Sequence, residues 1–343
     1  MVLHRLLLSI FMLFMPCLVL AANHLILISV DGLRPDIIGQ LGEQALPGFY
    51  RFHNQGVSTD NARTDFDYTR TLPNHSSMIT GRSVIGTNGH GQTENNRIGP
   101  ADTLHNNTGQ YGYIPGLFDV AHDNGLSTAL YASKDKFVLF DQSYNAENGA
   151  EDITGADNGS AKIDRYLFLA SNRTATNLID RFVEDMKVNS YNLAFVHITD
   201  PDYAGHGGNW TTQAYRDAVK RVDGYLQNIF ALVNESTELA GNTVIILIAD
   251  HGGTGADHSD ASDLLNYRIP FYVWGSGVAK GQDLYLLNRD SRHDPEDARP
   301  DYNAPWQPVR NGDAGNLALQ LLGLPAISGS TINARQDLKV AGD

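Results

Sequence analysis

The feature that most constrains the fold is a set of short apolar runs, each ending in an acidic residue. They read HLILISVDG (residues 24–32), NLAFVHITDPD (residues 192–202) and TVIILIADHGG (residues 243–253). Runs of this length, rich in Ile, Leu and Val, are typical of strands buried on both faces of a parallel sheet. A fourth apolar run, IPFYVWGSG (residues 269–277), predicts a further strand.

Helical patterns separate these runs. Apolar residues recur at helical spacing over residues 175–188 and 215–236, and a later helix over residues 315–325 ends in glycine and proline. Strands that alternate with helices predict an α/β fold, with a mostly parallel central sheet and helices on both faces.

The domain organisation expected from the sequence is simple. Neither an internal repeat nor a low-complexity linker interrupts residues 23–343, so we expect one catalytic domain. Residues 88–116 are rich in Gly, Asn and Thr, and residues 287–309 are polar and rich in proline. Both stretches are predicted to be loop or cap insertions.

The first 22 residues have the composition of a secretory signal peptide. Arg5 precedes a long apolar run that ends in the small residues Ala21 and Ala22. The run is short for a membrane span, so we expect cleavage and a mature chain without a stable span, an uncleaved anchor being the alternative. Cleavage would remove Cys17, the single cysteine. An exported protein without disulfides indicates a bacterial periplasm or secretion.

The charge balance excludes some partners. The formal net charge is −14, so long nucleic acid is not an expected ligand. An acidic balance suits a phosphate-handling enzyme only if many of its carboxylates bind cations.

Acids and histidines cluster where the predicted strands end. A single acid after a strand is commonly a turn or cap residue, but three such strand ends suggest a shared site, since ligands bind beyond the carboxyl ends of parallel strands. Asp and His without Cys suit Zn²⁺ in an open catalytic site. The candidate ligands are Asp31, Asp202, His206, Asp250, His251 and His258, with Asp200 as an alternative to Asp202.

Six segments in order carry a resemblance to a known family. They are SVDGLRPD, TLPNHSSMITG, HGQTEN, DPDYAGH, ADHGG and a histidine before YRIPFYVWG. Together they resemble the alkaline phosphatase superfamily, in particular its type I phosphodiesterase/nucleotide pyrophosphatase branch. The match extends over essentially the whole mature chain.

The resemblance implies two zinc ions, with Mn²⁺ or Fe as alternatives at one position. One ion would be held by Asp31, Asp250, His251 and the oxygen of Thr71. The other would be held by Asp202, His206 and His258. In the branch the last histidine follows a long insertion that is missing here; we choose His258 over His293 because it keeps the order of histidine, loop and strand.

The resemblance also implies a nucleophile. The pattern T-x-P-N-H selects Thr71 rather than Thr69, and a threonyl-phosphate would form and then be hydrolysed. Thr71 is predicted to be the cap residue of the helix that follows, and the N-terminus of this helix near Pro73 should favour a phosphoryl group through its free N–H groups. Asn95 in HGQTEN matches the asparagine that holds a phosphoryl oxygen. The superfamily's sulfatases use Cys or Ser here, so sulfate esters are not the expected substrates.

The substrate is expected to be a small phosphate ester. A monoester carries an extra negative charge, which a nearby cation would stabilise. Lys134 and Lys136 would supply this cation unless they form a solvated face. A nucleoside would need an aromatic slot, for which the residues near the motifs are Phe66, Tyr68, Tyr203 and Trp210.

The leading hypothesis is an exported zinc phosphodiesterase. The alternatives are a phosphomonoesterase or phosphonate hydrolase on the same site, and a zinc- or phosphate-binding protein without turnover. The oligomeric state is not predicted.

Overall fold

The computed structural model describes residues 21–106, 112–152, 154 and 159–342. The predicted signal peptide lies outside the described residues, apart from Ala21 and Ala22. One eight-stranded sheet organises the described chain. Its strands are β1 (His24–Val30), β2 (Val57–Arg63), β3 (Thr128–Ala132), β4 (Arg165–Phe168), β5 (Leu193–Ile198), β6 (Thr243–Ile248), β7 (Arg268–Gly275) and β8 (Gln282–Asp283).

The strand order is β4-β3-β5-β1-β6-β7-β2-β8. The strands from β4 to β6 in this order are all parallel, whereas β7 is antiparallel to both of its neighbours. The prediction of a mostly parallel α/β sheet is therefore confirmed. Every residue of β1, β5 and β6 is buried, as the near-continuous apolar runs predict.

Helices cover the sheet in two groups. The helices are α1 (Pro35–Leu41), α2 (Pro47–Gln55), α3 (Thr71–Thr80), α4 (Leu117–Asp123), α5 (Val138–Ser143), α6 (Thr176–Asn189), α7 (Asp200–Gly208), α8 (Gln213–Glu235), α9 (Leu264–Tyr267), α10 (Leu284–Leu287) and α11 (Asp313–Leu321). Helices α2, α6 and α7 each contact α8, and α3, α4 and α11 form a second group, as expected for a sheet covered on both faces.

The predicted helices lie within a few residues of their observed bounds. The described parts of residues 88–116 and 287–309, where insertions are predicted, contain neither helix nor strand, apart from Leu287 at the end of α10. Over the described ranges, none of the helices combines the length and apolarity that crossing a bilayer requires.

The strand order brings three strand ends together. Strands β5, β1 and β6 are adjacent and parallel, so their carboxyl ends share one edge. Gly32, just after β1, has a φ of +68°, and a Cβ there would approach the Asp202 Cα to 3.0 Å. The glycine therefore permits both a left-handed turn and a close contact between the β1 and β5 ends.

Candidate active site

The site is built from acids at the ends of β1, β5 and β6. Asp31 follows β1, Asp250 follows β6, and Asp202 lies in the first turn of α7, which begins after β5. All three side chains are almost completely buried. The predicted clustering of these three carboxylates is what the structure shows.

One group of possible metal ligands lies between β1 and β6. Nε2 of His251 is 3.4 Å from Oδ1 of Asp31 and 3.2 Å from Oδ2 of Asp250. Ligand atoms of these three residues all lie within 4.8 Å of one another. This group matches the first zinc set predicted from the sequence, apart from Thr71.

A second group surrounds Asp202. Its Oδ1 is 3.4 Å from Nε2 of His206 and 3.8 Å from Nε2 of His258. The His258 ring stacks on His251 with centroids 3.6 Å apart, so His251 lies within reach of both groups. The structure therefore brings His206 and His258 to Asp202, as predicted.

Each of the three histidines contacts a backbone carbonyl oxygen through Nδ1, which leaves its Nε2 available. Nδ1 of His251 donates to the Gly252 carbonyl oxygen (2.8 Å) and Nδ1 of His206 to that of Ala256 (3.0 Å). Nδ1 of His258 makes the same contact with Thr69. A proton held on Nδ1 leaves the Nε2 lone pair free for a metal, which is how ligating histidines are commonly oriented.

A set of unpartnered ligand atoms tests whether these residues fit a metal ion. Oδ1 of Asp31, Oδ1 of Asp202, Oδ2 of Asp250 and Nε2 of His251 are buried without a hydrogen-bond partner among the described residues. Buried polar atoms are rarely left in this state, because each costs its full desolvation penalty. Since all four atoms belong to the two groups above, the residues fit divalent metal ions.

Lys134 lies inside this site and not on a solvated face. Its Nζ is 2.6 Å from Oδ2 of Asp202 and 2.7 Å from Oδ2 of Asp31. The alternative that the lysine pair is solvated is therefore wrong for Lys134. Burial would lower the pKa of Lys134, but Asp202 and Asp31 raise it above its usual value.

The carboxylates have unequal environments. Burial alone would raise the pKa of Asp31, but Lys134 and His197 hold it well below its usual value. Burial and Asp31 would likewise raise the pKa of Asp202, and Lys134 and His206 bring it below its usual value. Burial and the charge of Asp31 raise the pKa of Asp250 well above its usual range.

Burial favours the neutral form of two of the site imidazoles. Burial lowers the pKa of His251 to about 3 and also lowers the pKa of His258. Neutral imidazole is the form that binds metal ions, so these two histidines need not lose a proton to act as ligands.

Thr71 is the first residue of α3 and is 1% exposed. Arg70 occupies the N-cap position, so the interpretation of Thr71 as the cap residue is wrong by one residue. The Thr71 carbonyl oxygen accepts a 2.7 Å hydrogen bond from Nδ1 of His75, which is also 3.6 Å from Oδ2 of Asp250. Through His75 the start of α3 is thus held beside the first ligand group.

Asn95 also contacts the start of α3. Its Oδ1 accepts hydrogen bonds from the backbone N–H of Leu72 (3.0 Å) and from Nζ of Lys136 (3.1 Å). The Asn74 N–H donates to the Arg70 carbonyl oxygen, so the expectation of free N–H groups at this end is not met at Leu72 or Asn74. Asn95 nevertheless lies beside Leu72, the residue after Thr71, and Lys136 lies beside Asn95.

Two alternatives from the sequence have structural roles instead. Asp200 accepts hydrogen bonds from the Ala175 N–H, Arg221 and Tyr225, which leaves Asp202 as the ligand candidate. Thr69 contacts His258 through both its hydroxyl and its carbonyl oxygen, so it orients a ligand candidate.

His197 is a site residue that sequence reasoning missed. It lies inside β5, and its Nε2 donates to Oδ2 of Asp31 at 2.9 Å while Ser133 contacts its Nδ1. A histidine within an otherwise apolar buried strand was the available signal, because such a polar group needs a partner. His75 of α3 is hydrogen-bonded to the Ser29 hydroxyl through Nε2.

The aromatic candidates are distributed around the site. Trp210 is fully buried and donates to the Gly32 carbonyl oxygen, so it is a structural residue. Phe66 is covered by the Arg299 guanidinium, 3.8 Å from its ring centroid. The Tyr203 ring lies beside Lys134, whose Nζ is 5.7 Å from the ring centroid.

Comparison with known sequence families gives a match over most of the chain. The profile described as type I phosphodiesterase/nucleotide pyrophosphatase matches residues 25–310. The chain belongs to this family. The resemblance inferred from the six segments is thereby confirmed, and family membership supports a phosphoryl-transfer enzyme.

Curated relatives are longer proteins. GPI ethanolamine phosphate transferase 1 of Mus musculus is 25% identical over 315 residues, which are 89% of this chain and 32% of that protein. The Schizosaccharomyces pombe protein of the same name is 21% identical over 327 residues, again with 32% of its length covered. The chain thus spans about a third of the length of these relatives.

Solved structures share the fold. Murine ectonucleotide pyrophosphatase/phosphodiesterase 5, solved with AMP, has a TM-score of 0.60 at 15% identity and covers 92% of this chain and 99% of its own. A 2-O GAG sulfatase has a TM-score of 0.57 at 12% identity, and the match covers 94% of this chain and 76% of the sulfatase chain. These similarities establish the alkaline phosphatase-like fold.

Proposed function

We propose that this chain is an exported, metal-dependent phosphoric ester hydrolase that cleaves small phosphodiesters through Thr71. The observation that carries the proposal is the set of four buried, unpartnered ligand atoms on Asp31, Asp202, Asp250 and His251. They lie beside the helix that begins at Thr71, so metal ligands and nucleophile candidate share one site.

Two ligand groups would hold two ions. Asp31, Asp250 and His251 form one position with Thr71, and Asp202, His206 and His258 form the other; the ligand types suit Zn²⁺ and also Mn²⁺ or Fe. Bound divalent ions supply positive charge that favours an ionised hydroxyl and stabilises the charge on a reacting phosphoryl group.

The chain's own residues account for the covalent steps. The Thr71 oxygen forms a bond to phosphorus as the bond to the leaving ester oxygen breaks; the hydroxyl proton goes to the released alcohol, and the threonyl-phosphate keeps the second ester group. Water then attacks phosphorus as the bond to the Thr71 oxygen breaks, which restores the Thr71 hydroxyl and releases a phosphomonoester. The Asn95 amide nitrogen is available to donate to a phosphoryl oxygen, since its Oδ1 already accepts from Leu72.

A diester is favoured over a monoester on the positions of the lysines. Nζ of Lys134 contacts two carboxylates, so its positive charge is largely neutralised within the protein. Lys136, whose Nζ contacts Asn95, is a second lysine near the start of α3. A phosphomonoesterase or phosphonate hydrolase is the alternative on the same site, with Lys136 as its added phosphoryl ligand.

Transfer to an alcohol is a second candidate reaction. The curated relatives, aligned with 89% and 88% of this chain, are named as ethanolamine phosphate transferases. A threonyl intermediate would react with an alcohol by the same displacement as with water. The two reactions therefore differ in which acceptor reaches the site.

Export is inferred from the composition of residues 1–22, where a basic residue, an apolar run and two alanines follow one another. We infer a periplasmic or secreted bacterial protein. N-terminal sequencing of the protein recovered from a periplasmic extract tests this; a start near residue 22 or 23 supports it, and full-length protein in the cytoplasm contradicts it.

A paired assay tests the activity. The zinc-loaded protein is given p-nitrophenyl phosphate or bis(p-nitrophenyl) phosphate, with and without an excess of ethanolamine or glycerol as acceptor. Faster cleavage of the diester with water as acceptor is expected. A faster monoester rate favours the phosphatase, and a phosphorylated alcohol as main product favours the transferase. Bound zinc without cleavage of either ester would make the chain a binding protein.

A further inference from the structure

Lys134 contacts one oxygen atom of each of two carboxylates. Its Nζ contacts Oδ2 of Asp31 and Oδ2 of Asp202, while the Oδ1 atom of each carboxylate faces a histidine Nε2 and has no hydrogen-bond partner in the described chain. Asp31 belongs to the first ligand group and Asp202 to the second. One ammonium group therefore links the two groups without covering the atoms that face the histidines.

The two groups differ in their number of carboxylates. Asp31 and Asp250 contribute two to the first, whereas Asp202 is the single carboxylate of the second. Lys134 thus pairs with one of the two carboxylates of the first group and with the single carboxylate of the second. His206, with a side chain 41% exposed, also leaves the second group more open to solvent.

His251 strengthens this difference. Its Nε2 lies within ligand distance of the first group and also of Asp202 and His258. One lone pair binds one ion, so an ion bound at the first group removes His251 from the second. The second group is then left with one carboxylate, already paired with an ammonium, and two imidazoles.

We propose that Lys134 is a built-in counter-cation that makes the two metal positions unequal. The position of Asp31, Asp250 and His251 fills first, and the position of Asp202, His206 and His258 fills only at higher metal concentration. Lys134 acts as a positioning residue through the two carboxylates, a role distinct from holding substrate. The inference rests on the metal dependence proposed above and specifies how the site is loaded.

Zinc titration of the metal-free protein, followed by calorimetry and by elemental analysis after gel filtration, tests the proposal. The wild type is expected to retain about one equivalent, with a second binding event weaker by roughly 100-fold. In Lys134→Met the second affinity should rise by roughly 10- to 100-fold, because a positive charge next to that position is removed. Lys134→Arg keeps the charge and should keep the two positions unequal.

Lys187→Met is the matched control, since Lys187 is an exposed lysine in the last turn of α6. Its zinc stoichiometry and affinities should equal those of the wild type. If Lys134→Met is unstable without metal, it is purified in excess zinc and the ions are withdrawn with graded chelator. Two equally tight sites in the wild type, or an unchanged second affinity in Lys134→Met, would overturn the inference. Failure to bind any divalent ion would instead contradict the proposed function.

Discussion

Thr69 and His258 hold each other in place although 189 residues separate them in the chain. Nδ1 of His258 donates to the Thr69 carbonyl oxygen, and the Thr69 hydroxyl donates to the His258 carbonyl oxygen. Both residues are buried. The segment leading into α3 therefore orients a metal-ligand candidate, and the nucleophile candidate Thr71 lies two residues further on.

Replacing Thr69 with valine should weaken zinc binding by about 10-fold while the fold persists, since orienting contacts behind a metal ligand have effects of this size. The substitution keeps the shape of the side chain but removes the hydroxyl that fixes the His258 backbone. Competition with a zinc-sensitive dye measures the affinity. Thr211→Val, at an exposed loop position, is the control. Equal affinities in the two variants would argue against this role of Thr69.

His197→Phe should also weaken zinc binding, by about 10-fold or more. The change preserves a buried ring but removes the N–H that orients Asp31. His197→Gln offers an amide N–H at a similar reach and should recover part of the affinity. If the Phe and Gln variants bind zinc equally, the hydrogen bond to Asp31 has no role in binding.

Removing the metal should destabilise the protein, because the carboxylates of Asp31, Asp202 and Asp250 repel one another and their free oxygens lose a partner. We expect a chelator to lower Tm by roughly 5–10 °C and zinc to restore it. Differential scanning calorimetry measures the shift. In His258→Ala zinc should raise Tm by less than in the wild type. In His293→Ala zinc should raise Tm as it does in the wild type, because His293 is the histidine that was not chosen as a ligand. A wild-type Tm that is indifferent to the chelator would contradict the metal assignment.

The stability of the protein should depend on pH through Asp119. Burial raises the pKa of Asp119 to about 6, although it accepts hydrogen bonds from Tyr113 and from the Gly116 N–H. The folded chain therefore binds this proton more tightly than the unfolded chain. The resulting stabilisation is present at acid pH and is lost as pH rises through about 6.

Relative to Asp119→Asn, the wild type should lose roughly 2 kcal/mol of unfolding free energy between pH about 4.5 and 7.5. Urea denaturation of both proteins across this range gives the difference directly. A difference that stays constant with pH would show that Asp119 titrates normally in the folded chain.

The main part of the site was predictable because its residues follow strands. Asp31, Asp202 and Asp250 come after apolar runs, and the carboxyl ends of parallel strands meet at one edge. The positions of His206 and His251 follow from their spacing to these acids. His258 required the resemblance, because nothing local distinguishes it from another loop histidine.

Lys134 and His197 show what the sequence could not provide. Lys134 reaches the site because β3 lies beside β5, and this strand order is not encoded in any local pattern. Whether His197 faces Asp31 depends on the pleat and register of β5, and a shift of one residue would turn its side chain to the other face. The N-cap of α3 was misplaced by one residue because Arg70 caps the helix without a side-chain hydrogen bond.

The most direct test of the account is the diesterase rate of Thr71→Ala, measured together with its zinc content. We expect the variant to retain zinc and to lose turnover by about three orders of magnitude or more, because Thr71 forms the covalent intermediate. A zinc-loaded Thr71→Ala protein that cleaves bis(p-nitrophenyl) phosphate at near the wild-type rate would contradict the account.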